Sequence, residues 1–390
     1  MKVTINGQVA AQFEPVRTAF KHLWQNSELG AGLCVYHHGQ KVVDLWGGWT
    51  DREKSNTWSS NTLVNIYSTT KGLAALAVAI LCDEGLIDYD QKVAHYWPEF
   101  GQAGKANITV AELLSHQAGL SGVSQTLTVG DLCDWPKMVQ LLAKQAPLWQ
   151  PGTKAGYHAI TWGYFPGELI RRITGQTLGQ YFSQKVAIPL NADCYIGLPD
   201  QLHYRCATLN GPNHTPATHQ SDDPSKSIKT AEAETSEIFR SAQLNPIIRP
   251  FKDACSKPWR RAEIAAANGH ATAAGIAKIY AALANHGELQ GTKIISSRAL
   301  ATALITEVED GTDLVLGHEM RRSRGFILNT RSAFGPNPEA FGHNGAGGST
   351  GYADPVENLA VSYVMNQMRT NDGTEKTRTN VLNEAIYACI

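Results

Sequence analysis

Strand-like segments lie near both ends of this chain and helix-like segments fill its middle. At the start, Leu33–His38 and Lys41–Trp46 are short β-rich runs on either side of Gly39-Gln40, a pattern typical of a hairpin. Toward the other end, three further runs predict strands: Gly325–Leu328, Thr350–Asp354 and Leu359–Met365. Strands at both ends with helices outside them predict one antiparallel sheet assembled from the two terminal parts.

Helical spacing of apolar residues marks the remaining segments. Residues 11–24 predict an amphipathic helix, and a closing helix carries Val381, Leu382, Ala385 and Ile386 on one face. Four helices are predicted in the middle, at Val110–Ser115, Lys137–Lys144, Trp162–Thr174 and Leu178–Val186. Residues 199–260 are the least regular and predict a long polar loop, a feature that is usually functional or mobile.

These patterns predict an α+β fold, with an antiparallel sheet flanked by helices and an inserted mainly helical domain. The sheet domain is discontinuous, spanning residues 1–95 and 265–390. The helical insertion spans residues 96–264 and includes the polar loop at about 199–260.

Charge and hydropathy exclude several classes of partner. The formal net charge is −1 and the chain has no long Lys/Arg block, so we expect no nucleic-acid or anionic-membrane partner. The longest apolar run, Leu73 to Cys82, is about half the roughly 20 residues needed to span a bilayer. The first residues lack the apolar stretch of a secretory signal, which predicts a cytoplasmic protein that binds small molecules.

Cysteine and histidine usage gives no sign of a metal site or a disulfide framework. The seven cysteines are widely scattered and none forms C-x-x-C, as expected for reduced thiols. The thirteen histidines include no H-E-x-x-H pattern. We therefore predict neither a metal nor another cofactor.

One motif places a hydroxyl and an amine three residues apart, immediately before the apolar run Leu73–Leu81. If that run is a helix, Ser68 and Lys71 lie on one face and their side chains can meet, as a nucleophile with its own base. The alternative is an ordinary helix start, with Ser68 as N-cap and Lys71 solvated. A cation in the first turn opposes the helix dipole, which argues mildly against that alternative.

Two further segments can contribute to a site. Tyr157 follows the Gly-rich turn Pro151–Gly156, where its phenol can face a cleft, although a lone Tyr after a turn is often a packing residue. The second segment, Phe341–Ser349, reads FGHNGAGGS, and its glycines allow backbone to approach a ligand closely. Its alternative is an ordinary Gly-rich connection.

The order of these motifs resembles the serine β-lactamase and penicillin-binding-protein superfamily, and most closely the class C β-lactamase-like family VIII carboxylesterases. The motifs are S-x-x-K on a helix, Tyr after P-G-x-x-x-G, and H-x-G on a strand, supported by Ile108–Leu120 and Phe341–Pro355. The resemblance runs from about Gly32 to Met368. It implies a β-lactamase/transpeptidase-like fold, with the site between the sheet part and the helical part.

The resemblance also implies roles for individual residues. Ser68 attacks an ester or amide carbonyl to form an acyl-enzyme, and Lys71 and Tyr157 share the proton transfers, with the identity of the base left open. For Lys71 to act as a base, its pKa must fall to about 7 from an ordinary value of about 10.4. The oxyanion hole consists of the backbone N–H groups of Ser68 and Ala346. The resemblance assigns substrate binding to His343, Asn344 and Gly345; the alternative for His343 is a structural residue that donates to a neighbouring strand.

Two departures from the family pattern narrow the substrate. The chain has Tyr157-His158-Ala159 in place of Tyr-x-Asn, so Ala159 lacks the side-chain amide of the family pattern. It has His343-Asn344-Gly345 in place of Lys-Thr-Gly, so His343 replaces a permanent cation. Neutral esters of short to medium chain length fit better than β-lactams or peptides. A class C-like β-lactamase, a D-amino-acid amidase or peptidase, and an acyltransferase are alternatives on the same fold. A non-catalytic binder or a covalent sensor is less favoured, because all three catalytic side chains are present. The sequence leaves open whether the protein forms a homo-oligomer.

A rival motif overlaps the last segment. Residues 347–351 read GGSTG and match G-x-S-x-G, the nucleophile elbow of α/β-hydrolases, in which a helix follows the serine. Here a strand is predicted after Ser349, and no histidine occurs after His343. We therefore predict that Ser349 is not the nucleophile.

Overall fold

The computed structural model describes residues 3–26, 28–211, 236–369 and 376–390. Within these ranges the strands are β1 Ile5–Val9, β2 Gly30–His37, β3 Gln40–Gly48, β4 Val64–Asn65, β5 Cys194–Tyr195, β6 His270–Ala271, β7 Glu288–Leu289, β8 Thr292–Lys293, β9 Thr306–Val308, β10 Arg322–Ser323, β11 Ile327–Leu328, β12 Phe341–Asn344, β13 Thr350–Asp354 and β14 Leu359–Met365. Nine of them form one antiparallel sheet in the order β1-β3-β2-β14-β13-β12-β11-β10-β9.

The two terminal parts of the chain meet at the centre of this sheet. Strand β2 pairs antiparallel with β14, so that Leu33 lies opposite Tyr363. The predicted α+β class, with one antiparallel sheet built from both terminal parts, is confirmed. Strands β4, β6 and β5 form a small second sheet, and β7 and β8 form a separate hairpin.

The predicted N-terminal hairpin is present, with its turn one residue earlier than the sequence indicated. The turn residues are His38 and Gly39, with φ angles of 48° and 70°. Two consecutive positive φ values match the two-residue turn that suits the twist of a hairpin. Strand β1 at the sheet edge has no counterpart among the sequence predictions.

The α-helices in the described ranges are α1 Glu14–His22, α2 Thr69–Asp83, α3 Val93–Tyr96, α4 Val110–Leu114, α5 Val129–Leu132, α6 Trp135–Lys144, α7 Tyr164–Thr174, α8 Leu178–Phe182, α9 Glu237–Gln243, α10 Lys257–Arg261, α11 Ala273–Ala284, α12 Ser297–Ala303 and α13 Arg378–Tyr387. Short 3₁₀ segments extend α1 at both ends, and a π segment, Ser183–Ala187, extends α8. The predicted helices are therefore present, and some of their ends have 3₁₀ or π geometry instead of α geometry.

Helices cover both faces of the sheet. Neighbouring residues on a strand point to opposite faces, and on β14 the ring of Tyr363 lies 6.5 Å from that of Phe20 on α1. Val364 points the other way, toward the face where Ala273 of α11 packs against Gly32 of β2. The sheet thus forms the middle layer of the sheet region.

Helix α2 is apolar all round and is buried from Thr69 to Leu81. A helix without a polar face must be enclosed by protein, and α2 packs against α7, α8, α12 and strand β12. Its first residues are therefore held in a fixed position between the sheet and the helices.

Two predicted segments differ from the structure. Only Ile327–Leu328 of the predicted strand Gly325–Leu328 is extended, because Gly325 has a φ of 130° in a turn closed by a bond from Ser323 N–H to Phe326 O. The predicted loop at 199–260 contains a 3₁₀ segment, Asp200–Arg205, as well as α9 and α10, and its residues 212–235 lie outside the described ranges.

The division into a sheet domain at 1–95 and 265–390 and an insertion at 96–264 stays a prediction. In the described parts of the chain, no helix combines the length and the apolar character required to cross a membrane.

Candidate active site

The start of α2 presents Ser68 to a cavity. Tyr67, the residue before it, has a φ of 43°, a left-handed conformation that bulky side chains seldom adopt. Ser68 itself is helical and half-buried, and its side chain makes no capping bond to the helix. Ser68 therefore occupies the N-cap position, as the alternative prediction has it, but its hydroxyl does not cap the helix.

Lys71 lies one turn further along, on the same face of α2, and is fully buried. Its Nζ lies 3.2 Å from Ser68 Oγ, and it donates hydrogen bonds to Ala159 O at 2.7 Å and to Ala266 O at 2.9 Å. Burial lowers the pKa of the Lys71 amine well below its ordinary value of 10.5. The alternative of a solvated first-turn lysine is wrong.

Tyr157 reaches the same point from the helical part of the chain. Its ring lies 4.7 Å from Lys71 Nζ, and its phenol is hydrogen-bonded to the side chain of Ser68. Burial raises the pKa of the Tyr157 phenol above its ordinary value, which outweighs the opposite effect of that hydrogen bond. The structure thus brings Ser68, Lys71 and Tyr157 together.

Two buried histidines hold the segment that carries Tyr157. His116 accepts a hydrogen bond from Gly156 N–H through its carbonyl, at 3.1 Å, and one from His158 N–H through Nδ1, at 3.0 Å. The Nε2 atom of His158 accepts a hydrogen bond from Leu120 N–H at 2.9 Å. Burial lowers the pKa of His158 to about 3, so this ring is neutral and has a structural role.

A buried ion pair supports Tyr157 from behind, and sequence reasoning did not identify it. Asp313 Oδ1 accepts the Tyr157 N–H at 3.1 Å, and Asp313 Oδ2 lies 2.5 Å from a guanidinium nitrogen of Arg322. Both charged side chains are almost fully inaccessible to solvent. Asp313 and Tyr157 are 156 residues apart, so no local pattern could have linked them.

The Gly-rich turn after β12 lies on the other side of Ser68. Among the described residues, the backbone N–H groups of Ser68 and Ala346 have no hydrogen-bond acceptor, and both residues line the same cavity. Gly345 permits this arrangement, because a Cβ added there would lie 2.3 Å from Ile66 O. Two free donors at one cavity wall can bind an oxyanion.

His343 and Asn344 line the cavity next to this turn. His343 is 2% exposed, and its Nδ1 lies 2.7 Å from Asn344 O. Its Nε2 has no hydrogen-bond partner within the described part of the chain. Burial, with a contribution from the nearby Lys71, lowers the pKa of His343 to about 3, so the ring is neutral.

The cavity beside Ser68 and Tyr157 has a volume of about 1130 Å³, and both apolar and charged side chains line it, the latter including Arg331 and Lys376. The apolar side chains around it include Ile160, Pro246, Ile247, Leu316, Met320, Phe334 and Met368. This volume accommodates a small-molecule substrate with an apolar chain.

Ser349, the serine of the G-x-S-x-G motif, is buried and bonded. Its Oγ donates to Ile66 O at 2.8 Å and lies 3.1 Å from Thr69 Oγ1. Strand β13 follows it, not a helix. This geometry agrees with the prediction that Ser349 is not the nucleophile.

The described residues contain no group of three or more His, Cys, Asp or Glu side chains placed to hold a metal ion. All seven cysteines are free thiols.

Known proteins resemble this chain over most of its length. The family model for Beta-lactamase matches residues 16–386. The Esterase/beta-lactamase LipL of Mycobacterium tuberculosis is 35% identical over 366 residues, covering 93% of this chain and 83% of LipL.

Solved structures extend the similarity to the whole fold. The crystal structure of a family VIII carboxylesterase shares 44% identity with a TM-score of 0.90, covering 99% of this chain and 100% of the other. A penicillin-binding protein homologue from Caulobacter crescentus shares 38% identity with a TM-score of 0.89, over 99% of this chain and 100% of that one.

Proposed function

The chain belongs to the beta-lactamase family and is a serine hydrolase, and we propose that it is a carboxylesterase that cleaves short- to medium-chain esters through an acyl-enzyme on Ser68. The observation that carries this proposal is the environment of Lys71. A buried amine 3.2 Å from a serine hydroxyl, with a lowered pKa, is a base placed against its nucleophile.

The hydrogen bonds of Lys71 support its role as the base in acylation. A neutral amine has two hydrogens and one lone pair, and the carbonyls of Ala159 and Ala266 accept both hydrogens. The lone pair is then left for the Ser68 O–H. Ser68 Oγ attacks the ester carbonyl carbon while its proton passes to Lys71 Nζ.

The tetrahedral intermediate carries its negative charge on the former carbonyl oxygen. The N–H groups of Ser68 and Ala346 donate to that oxygen; donors of this kind typically contribute about 10²–10³ each in rate. Tyr157 supports the next step, because its raised pKa keeps the phenol protonated. The phenol donates its proton to the departing alkoxide and recovers one from Lys71, and the C–O bond to the alcohol breaks. Water then cleaves the acyl-enzyme by the same groups in reverse.

The substrate-binding residues favour neutral esters. His343 is uncharged and Ala159 has no side-chain amide, so these two positions supply neither a cation for a substrate carboxylate nor an amide for an acyl-amide group. The apolar walls provide room for an acyl chain. Hydrolysis of β-lactams is the second candidate, since the similar Esterase/beta-lactamase LipL is named for both activities. Amidase and acyltransferase reactions would use the same acyl-enzyme.

We also place the protein in the cytoplasm, because all seven of its cysteines are free and a reduced compartment suits them. Its partner is a small-molecule ester.

The test compares wild type with Ser68→Ala on a chain-length series of p-nitrophenyl esters and on a chromogenic cephalosporin. We expect Ser68→Ala to abolish ester turnover, and intact-mass spectrometry of the wild type to show one acyl group on Ser68. Full activity of Ser68→Ala would overturn the mechanism. Faster turnover of the cephalosporin than of every ester would overturn the esterase proposal in favour of a β-lactamase.

A further inference from the structure

The proposed mechanism gives no role to Ser349, although its side chain is hydrogen-bonded to Ile66 and Thr69, which lie on either side of Ser68 in sequence. Ser349 is 2% exposed, and its only hydroxyl hydrogen is donated to Ile66 O at 2.8 Å. Thr69 Oγ1, at 3.1 Å, must therefore donate to Ser349 Oγ. The resulting chain of bonds, from Thr69 through Ser349 to Ile66, ties Ser349 to both sides of Ser68.

The main chain of Ser349 is bonded to the turn Gly345–Gly348, which includes Ala346 and is called the oxyanion turn below. Its carbonyl accepts the N–H of Gly345 at 2.7 Å, and Gly348 N–H closes the turn onto Gly345 O at 3.0 Å. Ala346, which lines the cavity and whose N–H has no acceptor among the described residues, directly follows Gly345. One residue therefore bonds the turn through its backbone and the start of the nucleophile helix through its side chain.

We propose that Ser349 is a positioning residue that fixes the spacing between the oxyanion-hole N–H groups of Ser68 and Ala346. This inference rests on the proposed function. Oxyanion donors act at about 2.7–3.1 Å from the developing charge, and a misplacement of about 1 Å can reduce a rate about 100-fold. The two donors come from segments far apart in sequence, and Ser349 joins those segments.

The role predicts a specific kinetic signature. In Ser349→Ala and Ser349→Cys, kcat for a p-nitrophenyl ester should fall about ten- to a hundredfold, while KM changes less than about threefold. An alkyl boronic acid forms a tetrahedral adduct on Ser68 that places one oxygen between the two N–H groups. Its inhibition constant should rise by the same factor as kcat/KM falls, because both report the oxyanion contacts.

Ser362→Ala is a matched control. Ser362 is also fully buried, lies on β14 of the same sheet, and its Oγ has no hydrogen-bond partner among the described residues. Removing its hydroxyl should leave kcat and boronate affinity within about twofold of wild type. Thr69→Val tests the other end of the bond chain, and its effect should be non-additive with that of Ser349→Ala.

The outcomes separate this inference from the proposed function. If Ser349→Ala folds and keeps kcat and boronate affinity within about twofold while Ser68→Ala is inactive, the positioning role is overturned and the esterase mechanism stands. If a fluorophosphonate labels Ser349 instead of Ser68, the proposed function itself fails. Should Ser349→Ala not fold, Ser349→Cys and Thr69→Val decide the question with the same two readouts.

Discussion

The carboxylate of Asp313 and the guanidinium of Arg322 form a buried ion pair directly behind the backbone of Tyr157. Arg322→Met would leave a buried carboxylate without its counter-charge. We expect the free energy of unfolding to fall by about 3–5 kcal/mol, measured by urea titration, because an unpaired buried charge is strongly destabilising.

The matched control for that prediction is Arg261→Met, which breaks the pair between Arg261 and Asp200, whose side chains are 59% and 55% exposed. Solvent screens this surface pair, so its loss should change stability far less. Equal effects of the two substitutions would contradict the structural role of the Asp313–Arg322 pair.

The pH dependence of kcat/KM should follow Lys71. The amine acts only when deprotonated, and burial lowers its pKa well below 10.5. Activity should therefore be lost as pH falls through this lowered pKa and reach a plateau above it. Tyr157 adds no alkaline loss near pH 10, because its pKa is raised. The profile is measured from about pH 5 to about pH 10, where an ordinary His or Lys would titrate.

Titration of a histidine is the competing explanation for the loss of activity at low pH, which is the acid limb of the profile. The pKa of His343 is lowered to about 3, so this ring stays neutral over the measured range. His343→Asn should leave the midpoint of the limb unchanged, whatever it does to the rate. A midpoint that moves or disappears in His343→Asn would assign the limb to His343 instead of Lys71.

Tyr157→Phe should lower kcat/KM by about 10²–10⁴, because it removes the proton donor to the leaving group. The ring would remain, with its centroid 5.1 Å from that of His116, so thermal unfolding should change little. Tyr204→Phe, at a side chain that is 84% exposed, is the control and should leave the kinetics unchanged. A loss of less than about fivefold in Tyr157→Phe would remove Tyr157 from the proton path.

Gly345→Ala should reduce kcat by about 100-fold, since the added Cβ would lie 2.3 Å from Ile66 O and would push the Ala346 N–H out of place. Gly130→Ala is the contrasting variant, because the nearest atom to its Cβ would be 3.6 Å away. Steady-state kinetics of both variants, with circular dichroism as a check on folding, would test this. Wild-type kcat in Gly345→Ala would show that the turn can move without loss.

The parts of the site that the sequence predicted are those joined by local geometry. Ser68 and Lys71 meet because three residues on a helix make one turn, and α2 was recognisable from its apolar run. The strands Thr350–Asp354 and Leu359–Met365 match their predicted bounds because both are buried runs between clear turns.

The parts that the sequence did not predict depend on contacts between distant segments. His116 holds the Tyr157 segment from a left-handed conformation with a φ of 70°, which no residue pattern indicates. Asp313 accepts a hydrogen bond from the same segment. Other acidic residues lie near it in sequence, so the sequence alone did not single out Asp313. The strand ending at Leu328 was predicted too long because Gly325, read as part of it, forms the turn before it.

The pairing of β2 with β14 has a consequence for synthesis on the ribosome. Tyr363 on β14 donates to Glu28, which precedes it by 335 residues, so the central sheet cannot close until almost the whole chain has emerged. Until then, the apolar helix α2 and strand β2 have no complete set of partners, and exposed apolar surface of this kind is prone to aggregation. A chain that ends before Ser349 also lacks the turn that carries the Ala346 N–H, so the proposed oxyanion hole would be incomplete in it.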